Sequence, residues 1–239
     1  MAKRHRKQES NLPSPIAGLR IIGGRLRGRK LLYSGDLRTR PMKDRLREAI
    51  FNLIGPAIRG KHAIDLFAGT GALALEAISR GADRATLIEQ HHPTAAIIRQ
   101  NIATLDLQQR AEVIPGNTFI WWKKMQLQLG RNNNVCSGHE VETALSTSNM
   151  PTASVGMAPM PSMASKIPWA VFCSPPYDFY VDRVEEMLEL IMGMIQSAPT
   201  DSIVVVEADE RFDFQTLPDS QAWDVRSYPP AVVGIFRKE

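Results

Sequence analysis

The chain has 239 residues, which at roughly 100–200 residues per domain allows one large domain or two small ones. Hydrophobic residues make up 44% and charged residues 23%, an ordinary globular composition that excludes global disorder. The net charge of +4 hides an asymmetry: residues 1–61 hold 16 Lys/Arg against 4 Asp/Glu, while residues 62–239 hold 13 against 21. A basic arm on an acidic body points to a polyanionic partner, because Lys and Arg displace counterions from phosphates. No apolar stretch approaches the ~18 residues that span a bilayer. The basic start MAKRHRKQES leads into no apolar segment, so it is not a secretory signal. Two cysteines, Cys136 and Cys173, are too few for a disulfide framework or a four-ligand zinc site. No metal is expected, and a reducing, cytoplasmic setting follows.

Residues 1–18 read as a flexible basic leader containing Pro13 and Pro15. Residues 19–61 then form a basic unit. Two apolar runs flank Gly23-Gly24, a hairpin signal. With residues 25–31 as a strand, Arg25, Arg27 and Arg29 fall on one face, since side chains alternate with period 2. Residues 41–54 read as an amphipathic helix opening on Pro41. Its apolar stripe is Met42, Leu46, Ala49, Ile50, Leu53 and Ile54, with Arg45 and Arg47 off the stripe.

From residue 62 the pattern alternates between strand and helix. Strands are expected at Ala63–Phe67, Ala85–Glu89, Ala111–Pro115, Ala170–Cys173 and Ser202–Glu207. Helices are expected at Thr70–Arg80, Pro93–Leu105 and Val181–Ser197. Such alternation argues for a doubly wound, mostly parallel α/β sheet of Rossmann-like type. The C-terminal stretch from Val225 to Phe236 reads as a closing antiparallel pair. Residues 126–166 break the pattern with no aromatic and four charged residues, and read as a disordered insertion. Cys136 and His139 lie within it, and two ligands do not make a metal site.

Three motifs carry chemistry. In AIDLFAGTGALALEA, Gly69, Gly71 and Ala74 fit G-x-G-x-x-G/A between a strand and a helix, a loop that lets a nucleotide-like ligand approach the backbone. Asp65 ends the strand before it. An anion there repels a pyrophosphate and favours a cationic ligand. S-Adenosylmethionine, with a sulfonium and an ammonium, fits better than a nicotinamide dinucleotide. Glu89 lies 24 residues after Asp65 at the next strand end, where a carboxylate accepts ribose hydroxyls. The third motif is Ser174-Pro175-Pro176-Tyr177, directly after the fourth strand. Its prolines fix the loop and leave carbonyls free to accept, and Tyr177 can stack on a flat base. Acceptors beside an aromatic suit an exocyclic amine.

These residues together resemble the class I S-adenosylmethionine-dependent methyltransferases with a [DNS]-P-P-[YFW] motif. Among these, the sequence most resembles the RsmD family, which methylates guanine N2 in bacterial 16S ribosomal RNA. The stretches RIIGGRLRGRKL, RPMKDRLREAIFNLI, AIDLFAGTGALALEAISRGA and VFCSPPYDFYVDRVEEMLELI carry the likeness. They cover most of residues 19–125 and 168–207. The resemblance implies that Asp65, Phe67, Gly69 and Gly71 line the methionine and ribose side of the cofactor. It implies that Glu89 binds the ribose, Asn117 faces the adenine amine, and Ser174 to Tyr177 hold the target base. Arg25, Arg27, Arg29, Arg40 and Arg45 would hold ribosomal RNA, in a small-subunit particle, and a monomer is expected.

Two positions depart from the family: Ser174 and Asn117 stand where Asp is usual. Exchanging a charged for a neutral acceptor costs ~1–1.5 kcal/mol, about tenfold in rate. A slower enzyme or a changed substrate is therefore expected at Ser174. Three other readings stay open: a DNA adenine-N6 methyltransferase, a non-catalytic cofactor-binding RNA protein, and a nicotinamide oxidoreductase. The first lacks a large target-recognition domain. Asp65 and the Ser-Pro-Pro-Tyr loop count against the last.

Overall fold

The computed structural model describes residues 18–33, 35, 41–135 and 167–239. The expectations for the leader, for Arg40, and for the insertion from residue 136 to 166 lie outside the described residues.

Seven strands form one sheet: β1 (His62–Asp65), β2 (Arg84–Glu89), β3 (Ala111–Pro115), β4 (Trp169–Cys173), β5 (Ile203–Asp209), β6 (Asp224–Tyr228) and β7 (Ala231–Arg237). Their order across the sheet is β3-β2-β1-β4-β5-β7-β6. The first five run parallel, and β7 enters antiparallel between β5 and β6. This is the doubly wound, mostly parallel sheet that the alternation predicts, and the closing antiparallel pair is β6 with β7. β1 and β4 are buried at every residue, as expected of central parallel strands covered on both faces.

The helices are α1 (Asp44–Ile54), α2 (Ala72–Ser79), α3 (His92–Thr104), α4 (Thr118–Val135), α5 (Phe179–Asp182) and α6 (Val184–Ser197). α1, α2 and α3 pack on one face, where Ala63, Leu87, Phe172 and Val205 belong to the same apolar cluster as Phe51, Leu75 and Ile98. The other face carries Ile64, Val171 and Val206 against Trp122 of α4 and Met187 and Met194 of α6. α2 is buried at all eight residues, matching its all-round apolar sequence.

Four differences from the sequence reading have physical causes. Residues 126–135 are the last part of α4, so the polar composition of the stretch starting at 126 overlaps a helix that Trp121, Trp122 and Met125 anchor in the core. The helix expected over 181–197 is two segments broken at Arg183, whose φ of −136° is not helical. Residues 25–31 are not a strand. The hairpin exists, with Ile21 N–H donating to the Arg29 carbonyl at 2.9 Å and Leu31 N–H to the Leu19 carbonyl at 3.0 Å. Its turn occupies residues 23–28, so Arg25 and Arg27 lie in the turn rather than on a strand face. Lastly, Arg47 is fully buried although it lies off the apolar stripe of α1.

The turn caps α2. Arg25 N–H donates to the Ser79 carbonyl at 2.8 Å and Leu26 N–H to Ser79 Oγ at 2.8 Å. Gly24, at φ +74°, meets this helix end so closely that a Cβ would stand 2.0 Å from the Ser79 oxygen. Only glycine suits such an approach.

Candidate active site

The parallel strands end together at one edge, and the sequence-predicted residues collect there. The chain order of β2, β1 and β4 reverses at β1, the switch point where ligands of open α/β sheets bind. Strand spacing of about 4.8 Å sets the scale. Glu89 ends β2, Asp65 ends β1, and Ser174 follows β4. The span from Glu89 to Ser174 is then two strand intervals, about 10 Å.

Asp65 is 1% exposed, and among the described residues neither carboxylate oxygen has a partner at full hydrogen-bond geometry. Burial pushes its carboxyl up to about 7; the backbone N–H of Ala74 opposes the rise, the nearby Glu89 adds to it, and the backbone N–H of Phe67 opposes it further. A buried carboxylate held by such weak contacts alone is costly unless a cation or a further donor meets it. The loop that follows turns on Gly69 at φ +51° and Gly71 at φ +74°. Gly71 is the N-cap of α2, and a Cβ there would stand 2.9 Å from Ile98 Cγ2. Glu89 braces this loop: Oε2 accepts Gly69 N–H at 2.8 Å and Oε1 accepts His91 N–H at 2.7 Å. Each oxygen keeps a lone pair for a further donor. Asn117 lies at the start of α4, where its Oδ1 accepts the N–H groups of Phe119 and Ile120 at 3.0 and 3.2 Å. Its Nδ2 donates to Gln90 Oε1 at 3.3 Å. The side chain is thus a helix cap, with its oxygen already engaged twice.

Phe67 joins a cluster the sequence did not reveal. Its ring lies 6.0 Å from both Phe119 and Phe179. Arg183 stacks over Phe119 at 4.2 Å and over Phe179 at 5.2 Å. Such ring and cation–π contacts tie together the loops after β1, β3 and β4.

The Ser-Pro-Pro-Tyr loop has Pro175 buried, Pro176 exposed, and Ser174 and Tyr177 half-buried. Both polar members turn to one residue that the sequence reading missed. The Ser174 hydroxyl donates to Glu207 Oε2, and the Tyr177 hydroxyl donates to Glu207 Oε1 at 2.7 Å. Glu207 lies in β5 next to β4 and is buried. The sequence signal available was an acidic residue at the end of the apolar run IVVVE, at the same strand level as the loop. Cys173 is a buried free thiol, pushed up to about 12 by burial, as suits a core residue.

The predicted basic residues divide. Arg25, Arg27 and Arg29 are exposed at the end of α2 remote from Gly71, and Arg29 Nη2 donates to the Thr104 carbonyl at 2.9 Å. The eight residues of α2 alone rise about 12 Å. The structure thus does not bring the three hairpin arginines to the switch point. Arg45 is exposed in the first turn of α1. Among the described residues no group of three or more His, Cys, Asp or Glu could hold a metal ion, and no helix is long and apolar enough to cross a membrane.

Residues 19–134 match the family model described as Conserved hypothetical protein 95. Ribosomal RNA small subunit methyltransferase D of Escherichia coli K12 is 48% identical over 87 residues, 36% of this chain and 44% of that protein. The protein of the same name from Haemophilus influenzae is 37% identical over 117 residues, 48% of this chain and 61% of its own length. The aligned part spans about half the length of the curated relatives it matches. The solved structure of Escherichia coli yhhF superposes with a TM-score of 0.62 at 26% identity, covering 92% of this chain and 98% of that one. Together with the shared fold, these matches show that the chain is similar to the family of Conserved hypothetical protein 95 over residues 19–134, just under half of its length.

Proposed function

We propose that the protein transfers a methyl group from S-adenosylmethionine to the exocyclic N2 amine of a guanine in small-subunit ribosomal RNA. The observation that carries this reading is Asp65: a buried carboxylate at the switch point, near the backbone of Ala74 and Phe67 but without a partner at full hydrogen-bond geometry among the described residues, one strand from the Ser-Pro-Pro-Tyr loop. A cationic amino-acid head satisfies it. The Gly69–Gly71 turn takes a positive φ at both glycines, and Glu89 has lone pairs left for ribose hydroxyls. The residues present therefore fit the cofactor, which when bound supplies an electrophilic methyl group. Asn117 supports α4 and meets adenine only through Nδ2 or the adjoining backbone, because its oxygen caps the helix.

An aromatic amine is a weak nucleophile because its lone pair is delocalised into the ring. The chain answers with position. Ser174 Oγ and the Pro175 carbonyl accept the amine hydrogens, Tyr177 stacks on the base, and the lone pair is aimed along the edge toward Asp65. Orientation of this kind supplies much of a barrier reduction. The base leaves its stack to reach Tyr177. Arg45 and the hairpin arginines hold RNA backbone at separate points, which favours a large, folded RNA over a short strand.

The test is transfer of labelled methyl to unmethylated 30S subunits, naked 16S RNA and DNA in parallel. Label in ribosomal RNA that disappears with Tyr177→Ala supports the reading, and nuclease digestion then names the base. Cofactor binding without label in any nucleic acid overturns it in favour of a non-catalytic binding protein.

A further inference from the structure

We propose that Glu207 is the positioning residue of the Ser-Pro-Pro-Tyr loop and, through the Ser174 hydroxyl, the final acceptor of the proton released when the amine is methylated. The inference rests on the proposed amine methylation and extends it to a residue on a different strand.

The geometry is specific. One carboxylate receives the hydroxyl at each end of the loop: Ser174 on Oε2 and Tyr177 on Oε1. The Glu207 carbonyl oxygen also accepts the Tyr180 hydroxyl at 3.1 Å. Two donors on one buried carboxylate fix both the serine rotamer and the plane of the tyrosine. Because the Ser174 proton points at Glu207, the lone pairs of Oγ are left to accept from an incoming N–H. A serine alone is a neutral acceptor. A serine bonded to a carboxylate behaves as a stronger one, since chains of hydrogen bonds polarise one another. Glu207 thus restores, one atom removed, the negative charge that the family's usual aspartate would place at position 174.

The step balances as follows. The amine lone pair forms the new N–C bond while the C–S bond breaks and its electron pair returns to sulfur. The nitrogen, now carrying one hydrogen too many, gives that proton to Ser174 Oγ as the hydroxyl proton moves to Glu207 Oε2. Glu207 then releases it to solvent.

Among the described residues, the ionisable groups facing Glu207 are Tyr177, Tyr180 and Cys173, besides the Ser174 hydroxyl. Burial raises Tyr180 well above the ordinary phenol range and Cys173 to about 12, so neither changes charge near neutral pH. Asp65, which does, acts on cofactor binding, and its effect is removed by measuring kcat at saturating cofactor.

Two measurements test the proposal. The first is thermal unfolding of the ligand-free protein in a double-mutant cycle. Ser174→Ala is expected to lower Tm by about 3–8 °C in the wild-type background and far less in Glu207→Gln, because the charge-assisted bond is already gone. The second is kcat. Glu207→Gln is expected to lose about 10²–10³-fold and the acidic limb of the pH profile, while the Tm shift given by S-adenosylhomocysteine is unchanged. The double variant is expected to be no slower than the worse single one, whereas Ser174→Thr, which keeps a hydroxyl, keeps its sensitivity to Glu207→Gln. Additive losses in Tm or kcat, a retained acidic limb, or full activity in Glu207→Gln overturns the proposal and leaves the methylation reading standing. A wild-type protein that binds cofactor and labels no RNA overturns both.

Discussion

Glu76 and Arg47 are both fully buried and face each other at 3.8 Å across the contact of α1 with α2. Glu76 does more than balance one charge. Its oxygens accept Ile22 N–H and Gly23 N–H, each at 2.7 Å, and Arg80 Nε at 2.8 Å. Arg47 in turn donates to the Arg20 carbonyl at 2.6 Å and to Asp44 at 2.9 Å. One carboxylate therefore joins the hairpin, α1 and α2. Removing one partner of a buried pair strands the other, at about 3–5 kcal/mol. Glu76→Gln is expected to destabilise the protein by that amount in urea unfolding. It should also speed tryptic cleavage at Arg25 and Arg27 relative to wild type.

The hairpin's contact with α2 gives a second prediction through two glycines in the same turn. Gly24 and Gly28 both have positive φ, +74° and +83°. A Cβ on Gly24 collides with the Ser79 backbone, whereas one on Gly28 meets no atom of the described residues within 4 Å. Gly28→Ala carries only the left-handed backbone cost, about 1–2 kcal/mol. Gly24→Ala adds displacement of the turn from a helix end that cannot yield. It is expected to cost at least about 2 kcal/mol more than Gly28→Ala, measured side by side by thermal unfolding.

The same region shows what a sequence can and cannot disclose. β3 is found where periodicity puts it, and β1, β2, β4 and β5 differ only at their ends, because short apolar runs between turn residues have few other uses in an α/β chain. Asp65, Gly69, Gly71 and Glu89 were legible since each lies in a local motif at a strand end. Arg47 was not, because a charge off the apolar stripe reads as solvated unless Glu76, 29 residues later, is known to face it. Glu207 was hidden for the same reason. Its partners are 33 and 30 residues away and meet it only through the pairing of β4 with β5. Long-range polar pairing has no period.

If Asp65 holds the cofactor's ammonium as proposed, cofactor affinity is expected to depend on pH. With its carboxyl raised to about 7, the ligand-free protein holds a proton there in mildly acidic solution. A bound ammonium favours the ionised form, so binding expels that proton. Affinity for S-adenosylhomocysteine is expected to climb as pH rises from about 6 to 8 and to level off above. Calorimetry in buffers of different ionisation enthalpy should register up to one proton released near pH 6. Asp65→Asn should bind more weakly at pH 8 and lose the pH dependence.

Asp65 and His62, at opposite ends of β1, pull stability in opposite directions. Burial lowers His62 to about 4 from 6.5, and its Nε2 lies 2.9 Å from Thr86 Oγ1. Between those values the unfolded chain binds a proton that the folded protein refuses. His62 therefore makes stability fall as pH drops from about 6.5 to 4, by roughly 3 kcal/mol over the full range. For Asp65 the folded protein keeps a proton that the unfolded chain has released between 3.8 and about 7. It makes stability fall as pH rises through that window, by roughly 4 kcal/mol. The two slopes nearly cancel from pH 4 to 6.5. Each single variant should uncover the other's slope in ligand-free protein. His62→Gln, relative to wild type, gains stability as pH falls toward 4. Asp65→Asn gains stability as pH rises to 7. Urea unfolding at pH 4.5, 6 and 7.5 reads both, and parallel curves for all three proteins would show that neither residue titrates differently on folding.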